Sequence, residues 1–443
     1  MKRKTLKGLI ATVAAGAVFT ASALFGGCFA GKDGKDGKDL TIYDILEAAR
    51  EIPGNEDLTL DELLQKYLSY TPQEIEEQIS FQKTINQSLL SAVYVYMDVN
   101  EMKDGHMVTQ AYSGSGVIID MDKTAGDMTV LTNCHVIYSA KAKTHGADGY
   151  SDNILLWTYG TELYRDSAMK AEIMCASITY DLALLKVTAS NVVKNSNAKP
   201  VSWTKAEENF LGETVYTIGN PKSMKLSVST GYISRDLQTY PVDMNNDPSV
   251  IEEYNYDVMR LAMGVNSGNS GGGLFNHSGQ LIGVMNARGA STDPTNPTLD
   301  VAYALPAARV RRVVSRMLDD YTGVETHSFS RVKWEDMLGL ELYNASTSIN
   351  DDGLVEIEEI VKVTSADMGT PFSKFIVGDV LNHITVTRGG EVIEDLDITR
   401  KHNFTDAMIS VKAGDLVTVT VLRGGNPREL TMTFAQSHFT TEV

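Results

Sequence analysis

Gly268-Asn269-Ser270-Gly271-Gly272 is the stretch on which the reading of this 443-residue chain turns. A serine becomes a nucleophile beside a base and beside backbone N–H groups aimed at the oxyanion that forms. Flanking glycines let the chain turn tightly enough to present both. Gly273 follows, so the segment is a poor helix start, and the flanking texture is that of β-strands. The serine is expected on a tight loop between strands.

Upstream, Val130-Leu131-Thr132-Asn133-Cys134-His135-Val136 puts a histidine at the end of an apolar strand. Tyr180-Asp181-Leu182-Ala183-Leu184-Leu185 opens another such strand with an aspartate. The order along the chain is therefore His, Asp, Ser. Taken alone, Gly-x-Ser-x-Gly also fits the nucleophile elbow of α/β-hydrolases, but there the serine enters a helix and the base lies downstream of it. The order found here matches chymotrypsin-like proteases. Together with Ser113-Gly114-Ser115-Gly116-Val117-Ile118-Ile119, these segments resemble the HtrA/Deg family of trypsin-fold serine proteases. The resemblance implies a mainly β fold, a trypsin-like double six-stranded β-barrel followed by a PDZ domain.

Roles follow from position. His135 would take the Ser270 hydroxyl proton and return it to the leaving amine, while Asp181 fixes the imidazole tautomer and stabilises its cation. The N–H groups of Gly268 and Ser270 are the expected oxyanion hole. Asn269 stands where many digestive relatives carry an aspartate that pairs with a newly cut N-terminus, so control by loop ordering is favoured over propeptide cleavage. By resemblance, the specificity pocket is lined by Met263, Gly264 and Val265 and by Val284, Met285, Asn286 and Ala287. Gly264 lies six residues before the serine, where a trypsin has an acid, so small or medium apolar residues are expected before the cut. His-Glu-x-x-His is absent, and neither a metal nor another cofactor is expected.

Three features depart from the family. His135 and Asp181 are 46 residues apart, with 140–151 reading as extra loop; 235–257 reads as a long acidic loop; and Cys134 is an unusual neighbour for the histidine. The acidic loop has two readings, a solvated face or a calcium site.

In the C-terminal part, Met337-Leu338-Gly339-Leu340, Gly378-Asp379-Val380-Leu381 and the run from Ala413-Gly414-Asp415 to Arg423-Gly424-Gly425 resemble a PDZ domain of the HtrA type. Such a domain adds an extended peptide to a sheet edge and holds its carboxylate in a glycine loop. Backbone around Leu338, Gly339 and Leu340 would hold the carboxylate, and Phe404 and Met408 would lie across the groove. An inert packing domain is the other reading.

The bulk properties agree with several compact units. The length suggests two or three domains, and 43% hydrophobic with 22% charged residues is ordinary for a globular protein. A net charge of -18 opposes general binding to nucleic acid. With only Cys28, Cys134 and Cys175, a dense disulfide framework is ruled out, although a bridge between Cys134 and Cys175 stays open.

Residues 1–27 have a basic start, an apolar run over 8–24 and small residues at Gly26 and Gly27, the layout of a secretory signal. Leu24-Phe25-Gly26-Gly27-Cys28 resembles the lipobox of bacterial lipoproteins, which implies lipidation of Cys28 and a membrane anchor outside the cytoplasm. An uncleaved transmembrane anchor is the alternative, and it places the remainder on the same side. The organisation expected is a signal peptide (1–27), a lipid-anchored flexible tether with three Gly-Lys-Asp copies (28–40), a helical segment (41–83), the protease domain (84–325) and the PDZ domain (330–443). A helix over 306–321, with Val310, Val313, Val314 and Leu318 as its apolar positions, closes the protease domain.

The function expected is an extracytoplasmic serine endopeptidase acting on misfolded or damaged protein. Peptide C-termini are the expected PDZ ligands. A homotrimer is expected by resemblance, with residues 89–96 as the candidate contact. Two alternatives stay open: a peptide-binding or chaperone-like protein with dormant protease features, and an esterase using the same serine loop.

Overall fold

The computed structural model describes residues 50, 55–59, 62, 72–144, 148–162, 164–208, 211–243, 253–288 and 301–442. The leader, Cys28, the tether and most of the helical segment lie outside them. From that segment's end onward the helix α1 (Pro72–Leu89) is described. The chain divides into two units, Met1–Lys83 and Thr84–Val443, and the architecture below is that of the second.

Six antiparallel strands close a first barrel: β1 (Ala92–Lys103), β2 (His106–Asp122), β3 (Asp127–Thr132), β4 (Asn153–Thr158), β5 (Met169–Ser177) and β6 (Leu182–Val187). Their order around it is β1-β2-β3-β6-β5-β4. The apolar run Leu182-Ala183-Leu184-Leu185 is fully buried, which fits a strand covered on both faces. Short helices α2 (Ala140–Thr144) and α3 (Asn191–Asn195) decorate the connections. The segment 140–151, expected as loop, thus contains a helical turn, with 145–147 outside the described residues.

The second barrel is built from β8 (Thr214–Gly219), β9 (Ser227–Asp243), β10 (Glu253–Ala262), β11 (Gly273–Asn276), β12 (Gln280–Arg288) and β13 (Val301–Pro306). Their order is β11-β8-β9-β10-β13-β12, and pairing of β11 with β12 closes the ring; β7 (Ser202–Trp203) adds in parallel to β12. One expectation is corrected here. Much of the acidic segment 235–257 is a ribbon, in which β9 and β10 stay paired out to Asp243 opposite Glu253. Its sequence is largely polar and acidic, so it lacks the apolar alternation that marks a strand.

Helix α4 (Ala307–Asp320) lies against strands of both barrels. It buries Val310, Val313, Val314 and Met317, whereas Leu318, expected on that face, is 44% exposed. The inward stripe runs i, i+3, i+4, i+7 from Val310, and that rule selects 317.

The C-terminal part holds the sheet β15-β16-β17-β19-β20, with β18 (Glu391–Asp397) on β17. The strands are β15 (Leu338–Ile349), β16 (Val355–Ala366), β17 (Val380–Arg388), β19 (Leu416–Arg423) and β20 (Asn426–Thr433). A separate pair joins β14 (Phe329–Val332) to β21 (Phe439–Glu442), and α5 (Lys401–Ser410) lies between strands in sequence. Its core holds Phe372, Phe404 and Phe434, and the arrangement is compatible with a PDZ domain.

Ion pairs fix this part against α4 and the barrels. Arg309 bonds Asp406 at 2.6 Å and Asp257 at 3.1 Å, Arg312 bonds Glu394 and Glu207 at 2.7 Å each, and Arg400 pairs with Asp236. Burial pushes the Asp406 carboxyl up against the pull of Arg309. Burial, with Arg400 and Arg309 beside it, holds His402 down at about 4. Breaking a buried pair from one side is costlier than removing both partners. Arg309→Ala is accordingly expected to lose about 3–5 kcal/mol in urea unfolding, and the double variant with Asp406→Ala clearly less.

Candidate active site

The two barrels meet where the Ser270 loop enters between β2 and the end of β3. The Ser115 N–H donates to the Ser270 carbonyl at 2.8 Å, and the Thr132 hydroxyl donates to the Ser115 carbonyl at 2.7 Å. Gly271 has φ +82°, and a Cβ there would collide with the Ser115 carbonyl and the Thr132 hydroxyl. Only glycine satisfies both the left-handed turn and the close approach.

His135 sits in a short 3₁₀ turn, Cys134–Val136, directly after β3. Its Nδ1 lies 2.8 Å from Asp181 Oδ2, and its backbone N–H donates to Asp181 Oδ1 at 2.9 Å. Asp181 is fully buried and has φ +48°, a conformation that aspartate tolerates better than most residues. Asn133 donates to its carbonyl at 2.8 Å. Burial lowers the His135 pKa, but the Asp181 charge and hydrogen bond outweigh it, and the net direction is upward.

Asn286 completes the arrangement. Its side-chain N–H donates to Asp181 Oδ2 at 2.6 Å, and its carbonyl accepts from the Ser270 hydroxyl at 3.2 Å. One residue of β12 therefore joins the serine of the second barrel to the aspartate of the first. Among the described residues, Ser270 and His135 make no hydrogen bond to each other, so the serine hydroxyl is turned to Asn286.

The N–H groups of Gly268 and Ser270 donate to no protein acceptor among the described residues, whereas those of Asn269, Gly271 and Gly272 all do. Gly268 has φ +101°, and its carbonyl accepts from the Ser115 hydroxyl at 2.7 Å. Asn220 donates its N–H to the same hydroxyl at 2.8 Å, so Ser115 pins the loop from below. In the sequence Ser115 shows only as part of a motif, and its place between Gly114 and Gly116 is the available signal.

The residues assigned to the specificity pocket differ in burial. Met263 and Met285 are packed in the second barrel's core, Val265 lies against that core, and Gly264 is exposed. Val284 is also buried, Asn286 serves Asp181, and Ala287 belongs to β12. In the C-terminal part, Leu338 and Phe404 are buried in one core, while Leu340 packs at its margin. Gly339 pairs with Ser365 in the sheet. Phe404 thus fills the core beneath α5, since it is 0% exposed, while Met408 reaches the wall of a cavity of about 730 Å³. That cavity lies between α5, Trp334 and Leu342 on one side and Leu237, Thr239 and Arg309 on the other, away from Ser270. Cys134 and Cys175 are both free and buried, and burial drives the Cys134 thiol well up, so it is no thiolate nucleophile.

Residues 114–284 match the family described as trypsin-like peptidase domain. This stretch of the chain is a trypsin-like peptidase domain. Among curated proteins, the chain is 26% identical over 327 residues to the serine protease Do-like HtrB of Bacillus subtilis, covering 73% of this chain and 62% of that protein. It is 27% identical over 343 residues to a probable periplasmic serine endoprotease DegP-like of Brucella suis, covering 76% and 55%. The chain thus spans between about half and two thirds of the length of these relatives. A solved structure titled HtrA-type protease AlgWS227A with decapeptide aligns with a TM-score of 0.48 at 17% identity, covering 80% of this chain and 97% of that one. HtrA/DegP-like serine proteases are among the relatives of this chain.

The upward direction at His135 makes a measurable statement. NMR titration of the His135 imidazole is expected to give a pKa above the ordinary value of about 6.5, and Asp181→Asn is expected to bring it down. A midpoint unchanged by Asp181→Asn would contradict the pairing.

Proposed function

We propose that this chain is a serine endopeptidase working outside the cytoplasm on unfolded or damaged protein. The observation that carries this reading is the buried Asp181 carboxylate, held at once by His135 and by the side-chain N–H of Asn286, the residue whose backbone carbonyl accepts from the Ser270 hydroxyl. On substrate arrival the Ser270 hydroxyl leaves the Asn286 carbonyl for His135 Nε2. Its oxygen attacks the scissile carbonyl as its proton passes to His135, and the oxyanion accepts from the free N–H groups of Gly268 and Ser270. His135⁺ returns the proton to the leaving amine, and water repeats the sequence on the acyl-enzyme. Asp181 keeps Nδ1–H toward itself and Nε2 toward the serine throughout.

With no acid at Gly264, small or medium apolar residues are the preferred side chains before the cut. The C-terminal part binds peptide C-termini: β15 ends its sheet and offers an edge for strand addition, and Leu338 to Leu340 begin that strand. The basic and apolar leader with Cys28 supports export and lipid anchoring. Homotrimer assembly rests on resemblance. Residues 91–95 are buried, which leaves Leu90 and Tyr96 of segment 89–96 half-buried and partly available for a contact.

One observation favours the alternative of a peptide-binding protein with dormant protease chemistry, namely that Ser270 is engaged by Asn286 instead of His135. Incubating the full chain with unfolded casein decides between them. Wild type is expected to release fragments whose new C-termini are small or medium apolar residues, and Ser270→Ala none. Equal behaviour of the two proteins would overturn the protease reading.

A further inference from the structure

The connector from α4 to β14 is bound to the first barrel by its backbone. Thr326 bridges Cys175 in parallel: its N–H donates to the Met174 carbonyl, and its carbonyl accepts from the Ala176 N–H, each at 3.1 Å. This register sets two side chains on either side of the catalytic pair's supports. The His327 ring stacks on Tyr150, with centroids 3.6 Å apart and planes 18° from parallel. Tyr150 in turn packs on Tyr138, and its hydroxyl lies 3.8 Å from the Cys134 sulfur. Cys134 is the residue immediately before His135. Two positions further along, the Phe329 ring lies 5.5 Å from that of Tyr180, the residue immediately before Asp181.

We propose that this connector, with the first residue of β14, is a bracket holding the His135–Asp181 pair from behind, with His327 and Phe329 as positioning residues. The inference rests on the reading of His135 and Asp181 as catalytic. Tyr150 stands on the segment that lengthens the spacing between them, so the inserted residues acquire a use: they supply the ring on which His327 rests. The segment is anchored where it must be, since Tyr138 and Tyr150 form a β-bridge and the Ser151 N–H donates to the Ile137 carbonyl at 3.1 Å, directly beyond the turn that carries His135. The rings therefore press on the turn itself. His327 is part-exposed and its ring nitrogen is bonded to Glu325 at 2.7 Å, so replacing it removes a support without opening the core. Misplacement of a catalytic group by a fraction of an ångström lowers turnover while leaving substrate affinity in place.

The test uses the full chain with fluorescein-labelled unfolded casein. His327→Ala is expected to lower kcat about tenfold, with KM and the unfolding midpoint unchanged, and His327→Phe, which keeps a ring on Tyr150, is expected to recover most of the loss. A wild-type kcat in His327→Ala, a change confined to KM, or a Phe variant no better than Ala would each overturn the bracket. A wild-type chain that cleaves nothing would instead sink the protease reading on which it rests, and the two failures are told apart by the wild-type control.

Discussion

A buried carboxylate must be satisfied, and most of this molecule is arranged around one. Asp181 is shut away from solvent and accepts three N–H groups: the backbone and the ring of His135, and the side chain of Asn286. Without them a carboxyl group in that position would cost several kcal/mol. Two of the donors come from the turn after β3 and the third from β12, so satisfying Asp181 requires both barrels to close on one another. The glycine-rich loop can enter the seam only because Gly271 leaves room for the Ser115 carbonyl. Nucleophile, base and orienting acid come together as a consequence of one desolvated group finding its partners.

The same logic explains which parts were legible in the sequence. Leu182 to Leu185 and Val130-Leu131 stand out as buried strands because both faces are covered, and the serine loop is legible because His135 and Asp181 precede it in the order of a chymotrypsin-like triad. The β9–β10 ribbon does not show in the sequence as a pair of strands, since its largely polar and acidic residues lack the apolar alternation that identifies one. Strand β15 was visible only through its first residues for a similar reason: from Glu341 to Thr347 its side chains are all exposed. Asn286 was recognised as lining a pocket but not as a partner of Asp181, because 105 residues separate them and only tertiary folding brings them to 2.6 Å. Chemistry fixed by chain order could be read directly; chemistry fixed by the seam between barrels could not.

The C-terminal part is held by charges beside an apolar contact, in which Phe329 and Ile409 join the buried cluster of Tyr256, Val310 and Val314. Arg309 reaches Asp406, Arg312 reaches Glu394 and Arg400 reaches Asp236 across the junction, and the cavity beside them is lined from both sides. Buried pairs of this kind contribute less to stability than their number suggests, because desolvation offsets much of their attraction. Their geometric demands are strict, and they define one orientation of α5 against α4. The connector bound along β5 extends that orientation toward the residues behind His135 and Asp181.

The central claim is that Asp181, His135 and Ser270 act as one unit across the seam. Mass mapping of the full chain after exposure to a fluorophosphonate tests it most directly. A single adduct on the peptide containing Ser270, formed in wild type and severely slowed in Asp181→Asn, is the predicted result. No adduct in wild type, an adduct on another residue, or labelling indifferent to Asp181→Asn would contradict the account.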